Sequence, residues 1–286
     1  MKYLVFAITG ANGQIGAFLV ETLRAQGHVV YELVREAEKA KDKTYYQFFD
    51  LTKPEKMPSL KAVDVLIHTA CFFDTTDKTY ELINVTGTQA LFKQAKNDQV
   101  KYAIFISTLS AYPEARSLYG RVKYHLEQWL LKEHQNTVVI RPGLVFHTPL
   151  QGITAAMDRF VRNYPIVPLI GSGKQWLYPC LLEDLTELII NLSMHQPCIK
   201  KPMIAASDQV ITFKQLVQYL AEQQQKKVRL CSVPFFVIYL SLKMVELCGL
   251  SIGLRSDSLL GLQYANKHLE FTQTKKQGIH FRGLGD

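Results

Sequence analysis

The most restrictive feature of this chain lies at its start, where Tyr3-Leu4-Val5-Phe6-Ala7-Ile8 runs directly into Thr9-Gly10-Ala11-Asn12-Gly13-Gln14-Ile15-Gly16. A short apolar run ending in glycines reads as a buried parallel strand. Ile15, Phe18, Leu19, Leu23 and Ala25, stopped by Gly27, follow the spacing of an amphipathic helix over 15–26. The glycines permit a tight turn and a close backbone approach, and the helix start offers free N–H groups and a positive dipole end. A strand, a glycine turn and a helix in that order form the context in which such a turn takes up the pyrophosphate of a dinucleotide. Gly10, Asn12, Gly13, Gln14, Ile15 and Gly16 are therefore the expected cofactor cradle.

The same alternation continues. Strands are expected at Val29–Val34, 62–69, Tyr102–Ser107 and Thr137–Ile140, with helices at Tyr80–Lys96 and Leu118–Glu133. Strands separated by helices imply right-handed crossovers and an α/β fold, a doubly wound parallel sheet covered on both faces. After Arg141-Pro142 the pattern loosens, and prolines and glycines punctuate 146–175. Residues 1–145 are thus expected to form the core, with 176–194 returning to it through a helix over 181–194. Residues 146–175 and 195–286 are left for a smaller substrate lobe across a cleft.

Composition narrows the class. With 286 residues, 48% hydrophobic, 20% charged and 11% aromatic, the chain is too apolar for disorder and long enough to need no metal or disulfide staple. Its five cysteines are odd in number and lack a Cys-x-x-Cys pair, so they read as buried thiols in a reducing cytoplasm, without metal. The N-terminal apolar run is too short for a signal-peptide core. The stretch 233–242 is broken by Lys243 and Glu246, short of the ~18 residues a membrane span requires. Cytoplasmic localisation is the expectation.

The net charge is +8, and residues 199–286 carry 12 Lys/Arg against 6 Asp/Glu. A basic lobe either attracts a phosphorylated cofactor or substrate or only keeps the surface soluble. Its charges are scattered rather than gathered along one element, which argues against nucleic acid as a partner.

The end of the second strand selects the cofactor. It reads Leu33-Val34-Arg35, with no carboxylate at Val34 to hold a ribose diol, while Arg35 suits a 2′-phosphate. NADP is favoured, and Glu36 and Glu38 keep NAD open. Asp50 and Leu51, after a presumed third strand, are placed either to contact the adenine or to cap their own loop.

For chemistry, Tyr119 and Lys123 lie four apart on an expected helix and so share a face. A nearby ammonium would lower the phenol pKa from about 10 and let it exchange protons near neutrality. Spacing alone decides nothing, because Tyr239 and Lys243 share it. Tyr119, however, lies 11 residues after Thr108, which follows the strand Tyr102–Ser107 at the sheet edge where such folds bind ligands. Thr108, or Ser110 in its place, would hydrogen-bond the reacting oxygen, and Asn84 could anchor a water or a backbone group. Tyr239 reads as packing in an apolar helix.

The segments TGANGQIG (9–16), DLT (50–52), VLIHTA (65–70), NVTGT (84–88), FISTLSAY (105–112), YGRVK (119–123), IRPGLVF (140–146) and LEDL (182–185) resemble, in order, the extended and atypical short-chain dehydrogenase/reductases, the NAD-dependent epimerase/dehydratase group. The resemblance implies a Rossmann fold, Thr108, Tyr119 and Lys123 as the catalytic set with Asn84 assisting, and Thr69, Ala70, Arg141, Pro142 and Gly143 along the cofactor. Leu109-Ser110 replaces the Asp-Glu of nucleotide-sugar dehydratases, which sets dehydration aside. The short stretch from Thr108 to Tyr119 argues against a large nucleotide-sugar pocket. SLYGRVKYHLE and the region before LEDL look most like the atypical branch, which includes an accessory subunit of respiratory complex I that holds NADPH structurally.

The expected function is hydride transfer between NADP(H) and the carbonyl or alcohol of a small substrate, phosphorylated or sugar-like, in a reductase or an epimerase. The alternative is a non-catalytic NADPH-binding sensor or assembly protein. The pocket should draw on His147, Trp176, Tyr178 and Arg255, chosen by position. The apolar helix around 233–247 leaves a homodimer or a membrane contact open.

Overall fold

A computed structural model describes residues 3–73, 77–134, 136–250 and 254–285. The first half alternates as its sequence pattern requires: β1 (Val5–Thr9), α1 (Gln14–Ala25), β2 (Val29–Val34), β3 (Tyr46–Phe48), β4 (Val65–His68), α2 (Asp77–Asn97), β5 (Tyr102–Ile106), α3 (Leu118–Glu133) and β6 (Thr137–Pro142). The second half adds β7 (Leu144–Phe146), α4 (Gly152–Asn163), β8 (Ile166–Ile170), β9 (Trp176–Leu177), β10 (Pro179–Leu181), α5 (Leu182–His195) and β11 (Met203–Ala205). The chain continues through β12 (Ile211–Thr212), α6 (Phe213–Gln223), β13 (Arg229–Val233), α7 (Phe235–Leu247), α8 (Ser256–Gln263) and α9 (Thr272–Lys275).

A seven-stranded sheet runs in the order β11-β6-β5-β4-β1-β2-β3, every neighbouring pair parallel. This is the doubly wound Rossmann arrangement. Strands β4 and β5 are buried along their whole length because helices cover both faces. Leu19 and Leu23 of α1 pack with Leu185, Leu188 and Leu192 of α5 on one face. Leu91 and Phe92 of α2 pack with Val122, Leu126 and Leu130 of α3 on the other. Successive strands step from β1 towards β3, then cross to β4 on the other side of β1. The crevice outside the C-terminal ends of β1 and β4 is the switch point where such sheets bind ligands.

A smaller core joins α4, α6, β8 and β13 through Met157, Val161, Val167, Leu169, Leu216 and Leu220. Helices α7 and α8 close over Ile170 with Leu242 and Leu259. The stretch 195–286 is nevertheless divided. β11 joins the main sheet beside β6, Phe281 enters the main core, and Arg282 binds Asp184 of α5, its Nε donating at 2.9 Å. Three buried residues carry too little periodicity for a strand like β11 to be read from sequence.

Two further expectations change. Cys180 is buried, but Cys198, Cys231 and Cys248 are exposed and Cys71 is half-buried, so the buried-thiol reading holds only in part. Helix α7 stacks Tyr239 on Phe235, yet it leaves Phe236, Leu240, Met244 and Leu247 in solvent. Among the described residues, no helix is long and apolar enough to cross a membrane.

Candidate active site

The glycine turn follows β1 as its sequence predicts. Gly10 adopts φ +66°, in the left-handed region, and a Cβ there would stand 2.6 Å from Thr69 Oγ1. A Cβ on Gly16 would stand 2.2 Å from Gly10 O, so α1 can approach the turn only without a side chain. Gly13 N donates to Gly10 O at 2.8 Å and closes the turn. Among the described residues no side chain caps helix α1, and its first turn holds no acidic residue, which leaves its positive end available to an anion. Gln14 Nε2 is buried and, among the described residues, has no hydrogen-bond partner. Asn12 is exposed and Ile15 packs on the core. This cradle, with an unsatisfied amide beside it, fits the pyrophosphate of a dinucleotide.

Beneath the turn lies a relay that sequence reading missed. Thr9 Oγ1 accepts from the N–H groups of Thr69 and Ala70, both at 3.2 Å. Its proton therefore goes to His68 Nδ1 at 2.7 Å, and His68 Nε2 carries the proton that reaches Thr88 Oγ1 at 3.0 Å. Burial, and then the charge of Lys123, hold the His68 pKa well below its ordinary value. Thr69 Oγ1 donates to Thr9 O at 2.7 Å, so β4 and β1 end in register under the turn.

At the end of β2, Arg35 is exposed and, among the described residues, has no ion-pair partner. The strand does contain a carboxylate, Glu32, but it is wholly buried and committed elsewhere. Arg24 Nη1 donates to it at 2.8 Å, and Lys41 N and Asp42 N cap it at 3.0 and 3.2 Å. Glu36 pairs with Lys39. Asp50 Oδ1 accepts Thr52 N at 2.9 Å and so caps its own loop, with Leu51 buried against α2.

On the other side of the switch point, α3 docks against the end of β5. Lys123 is buried, its Nζ donates to Ile106 O at 2.8 Å, and it lies 4.5 Å from the centre of the Phe105 ring. Ile106 is two residues before Thr108, whose Oγ1 accepts Ser110 N at 3.2 Å. The expectation that Lys123 lowers the Tyr119 pKa is not met. Burial, and then the neighbouring Cys71 thiol, push the phenol up, and burial lowers the pKa of Lys123 itself. Helical spacing puts both residues on one face, but it does not aim the ammonium at the phenol.

Asn84 is buried with its amide fully committed. Nδ2 donates to Phe72 O and Tyr80 O, each at 2.9 Å, and Oδ1 accepts Phe72 N at 2.9 Å. Of its two expected roles, it takes the backbone anchor. It fixes the segment that carries Cys71, whose Sγ lies 3.3 Å from Tyr80 Oη, and Phe73, whose ring lies 5.9 Å from that of Tyr119.

Arg141 departs from its expected place along the cofactor, because its guanidinium turns inward to Glu127 on α3. Pro142 O accepts Leu109 N at 3.3 Å, and Gly143 N donates to Ala205 O at 3.0 Å, so both sit at the sheet edge beside the Thr108 loop.

The positional guesses for the pocket separate. Arg255 lies against the segment that packs on Tyr119, where its Nη1 donates to Phe73 O at 2.7 Å. Ser110 lies where α8 passes, its Oγ 3.2 Å from the position a Cβ on Gly261 would take. His147 sits instead on the α1–α5 face, with Nδ1 2.9 Å from Glu183 Oε1 and its ring against Phe18. Tyr178 is buried against Phe271 and serves packing. Trp176 is exposed in the short β9–β12 pair, with Lys267 over its ring. Cys71, Glu127 and Asp257 belong to the site and were not singled out. Each is an unremarkable residue in sequence, and only the fold brings Cys71 and Asp257 to α3 and pairs Glu127, on α3 itself, with Arg141 of β6.

Comparison with known proteins follows the same outline. Residues 6–196 match the NAD dependent epimerase/dehydratase family. The chain is 24% identical over 260 residues to a UDP-glucose 4-epimerase of Vibrio cholerae, covering 80% of this chain and 78% of that one. It is 26% identical over 244 residues to the epimerase family protein YfhF of Bacillus subtilis (strain 168), covering 77% and 80%. Its fold is similar to a UDP-glucose 4-epimerase of Thermotoga maritima solved with UDP-glucose, with TM-score 0.73 and 17% identity over 98% of this chain and 94% of that one.

Proposed function

Because the chain belongs to the NAD dependent epimerase/dehydratase family, we propose that it transfers hydride between NADP(H) and an alcohol or carbonyl carbon of a small, sugar-like substrate. The net outcome would be reduction, or epimerisation through a transient oxidation. The nicotinamide cofactor supplies the hydride acceptor or donor. The observation that supports the reading is the docking of α3 on the end of β5, where Lys123 Nζ donates to Ile106 O; Tyr119 lies four residues before Lys123 on α3 and Thr108 two residues beyond Ile106.

In this reading Thr108 polarises the substrate oxygen. Its hydroxyl already accepts from Ser110 N, so its own proton remains to be donated. Tyr119 exchanges the proton at that oxygen. A phenol held protonated by burial suits the reductive direction, in which the developing alkoxide must be quenched. Lys123 holds α3 to the strand and adds positive charge beside the site. The exposed guanidinium of Arg35 at the end of β2 favours NADP over NAD. The exposed guanidinium of Arg255 suits a phosphorylated substrate, and the sugar nucleotides named for the relatives are the first class to assay. The reducing cytoplasm remains its expected setting.

A second reading, a non-catalytic NADPH-binding protein attached to a membrane-associated assembly, is favoured by the apolar side chains that α7 leaves in solvent. Purified protein incubated with NADPH and a panel of sugars, sugar nucleotides and carbonyl compounds separates the two. Turnover is expected, and Tyr119→Phe should abolish it while leaving the nucleotide dissociation constant unchanged. Full activity in that variant removes Tyr119 as the acid/base. Inertness across the panel, with NADPH bound and the protein sedimenting with membranes, favours the second reading.

A further inference from the structure

The first turn of any α-helix leaves four N–H groups without partners inside the helix. In α3, Arg121 N makes the first helical bond, to Ser117 O at 3.0 Å, and of the N–H groups before it Ser117 Oγ takes Gly120 N at 3.1 Å. Leu118 and Tyr119 find one carboxylate far along the chain. Leu118 N donates to Asp257 Oδ1 at 2.7 Å and Tyr119 N donates to Asp257 Oδ2 at 3.1 Å.

Asp257 stands in the first turn of α8, so a single negative charge lies at the positive ends of two helices at once. That corner is itself held. Ser256 N and Oγ donate to Glu246 of α7 at 2.7 and 2.8 Å. Arg255 donates to Phe73 O and lies 5.8 Å from the Phe73 ring, which packs on Tyr119. Tyr119 is thus gripped twice from the C-terminal lobe, through its backbone by Asp257 and through its ring by the Arg255–Phe73 contact.

We propose that Asp257 is a positioning residue for the chemistry at Tyr119: the lobe that borders the substrate sets the pitch and depth of the first turn of α3, and with them the place of the phenol. The inference rests on the reading of Tyr119 as the acid/base. Ser117 already caps the helix, so simple capping does not require a second group, least of all one from another lobe. Charge-assisted bonds to two successive N–H groups fix both the rotation and the rise of the turn, which one hydroxyl cannot. Displacing a reacting group by ~1 Å can cost on the order of a hundredfold in rate.

The test compares wild type with Asp257→Ala and Asp257→Asn. At saturating substrate, kcat should fall about ten- to a hundredfold in Asp257→Ala. KM and the NADPH dissociation constant should stay near wild type. Asp257→Asn keeps one acceptor and should fall between, which also covers the case where Asp257→Ala does not fold. With 13C-labelled tyrosine, the NMR ring signal assigned to Tyr119 by its loss in Tyr119→Phe should move in the Asp257 variants. Wild-type kcat in a folded Asp257→Ala protein overturns the proposal, as does an unmoved Tyr119 signal. If wild type turns over nothing, the acid/base reading fails, and the ring signal alone decides whether Asp257 sets the place of Tyr119.

Discussion

Glu127 and Arg141 meet as a closed pair beneath the site, with Arg141 Nε and Nη2 donating to Glu127 Oε1 and Oε2 at 2.9 and 2.5 Å. Glu127 is wholly buried, and the Ser107 hydroxyl also donates to it. The pair ties α3, one turn beyond Lys123, to the end of β6 and to the residue before Thr108. Burial raises the Glu127 pKa, and Arg141 opposes that rise.

Breaking one half of such a pair costs far more than the pair is worth, because the other charge remains buried. Arg141→Ala should therefore destabilise the fold by about 3–5 kcal/mol, measured by urea unfolding. Glu127→Gln, which keeps the shape and one acceptor, should cost less. A loss below about 1 kcal/mol in Arg141→Ala would show that the carboxylate has other means of compensation.

His68 predicts a pH dependence of stability. Its folded pKa is depressed, so below the unfolded value of about 6.5 the unfolded chain binds a proton that the native chain refuses. Stability should fall as pH drops from about 6.5, and His28 and His134, both also lowered by burial, add to the same slope. His68→Gln can accept from Thr9 and donate to Thr88, and it should flatten that slope. An unchanged slope in chemical denaturation between pH 5 and pH 7 would remove His68 from the account.

Arg35→Ala should weaken NADPH binding by about ten- to a hundredfold, the worth of a charge-assisted phosphate contact, and leave NADH almost untouched. Titration of both nucleotides checks this. Equal losses for the two would place Arg35 away from the 2′-phosphate.

Gly16→Ala would set a methyl carbon 2.2 Å from Gly10 O and must push α1 off the turn. Nucleotide affinity should fall at least about tenfold by the loss of helix-end N–H contacts. Calorimetry with NADPH reads the change, and retained affinity would mean that the turn is not the pyrophosphate cradle.

What sequence made visible was whatever depends on local pattern. The strand expected at Val29–Val34 and the helix expected at Leu118–Glu133 lie where the structure has them, because apolar periodicity and the Gly27 stop signal act within one element. The glycine turn was equally legible, since its chemistry is contained in eight consecutive residues. The rest of the site depends on contacts across the chain. Nothing near Asp257 marks it as a cap for a helix 138 residues away, and no spacing rule shows that Lys123 reaches Ile106 O instead of the Tyr119 phenol. Glu32 shows the same limit. It reads as a strand carboxylate, and only the fold shows Arg24 and the 41–42 backbone consuming it.

The position of β11 bears on how the chain folds as it is made. Six strands of the sheet are complete once Pro142 has emerged, but the outer edge of β6 stays unpaired until 203–205 arrive, and Thr274 then hydrogen-bonds Ile204 O from further along. An open parallel edge is a template for unwanted pairing. A nascent chain stalled between those points would therefore expose the unpaired edge of β6, the strand that carries Arg141, and shielding it is work for whatever receives the chain at the ribosome.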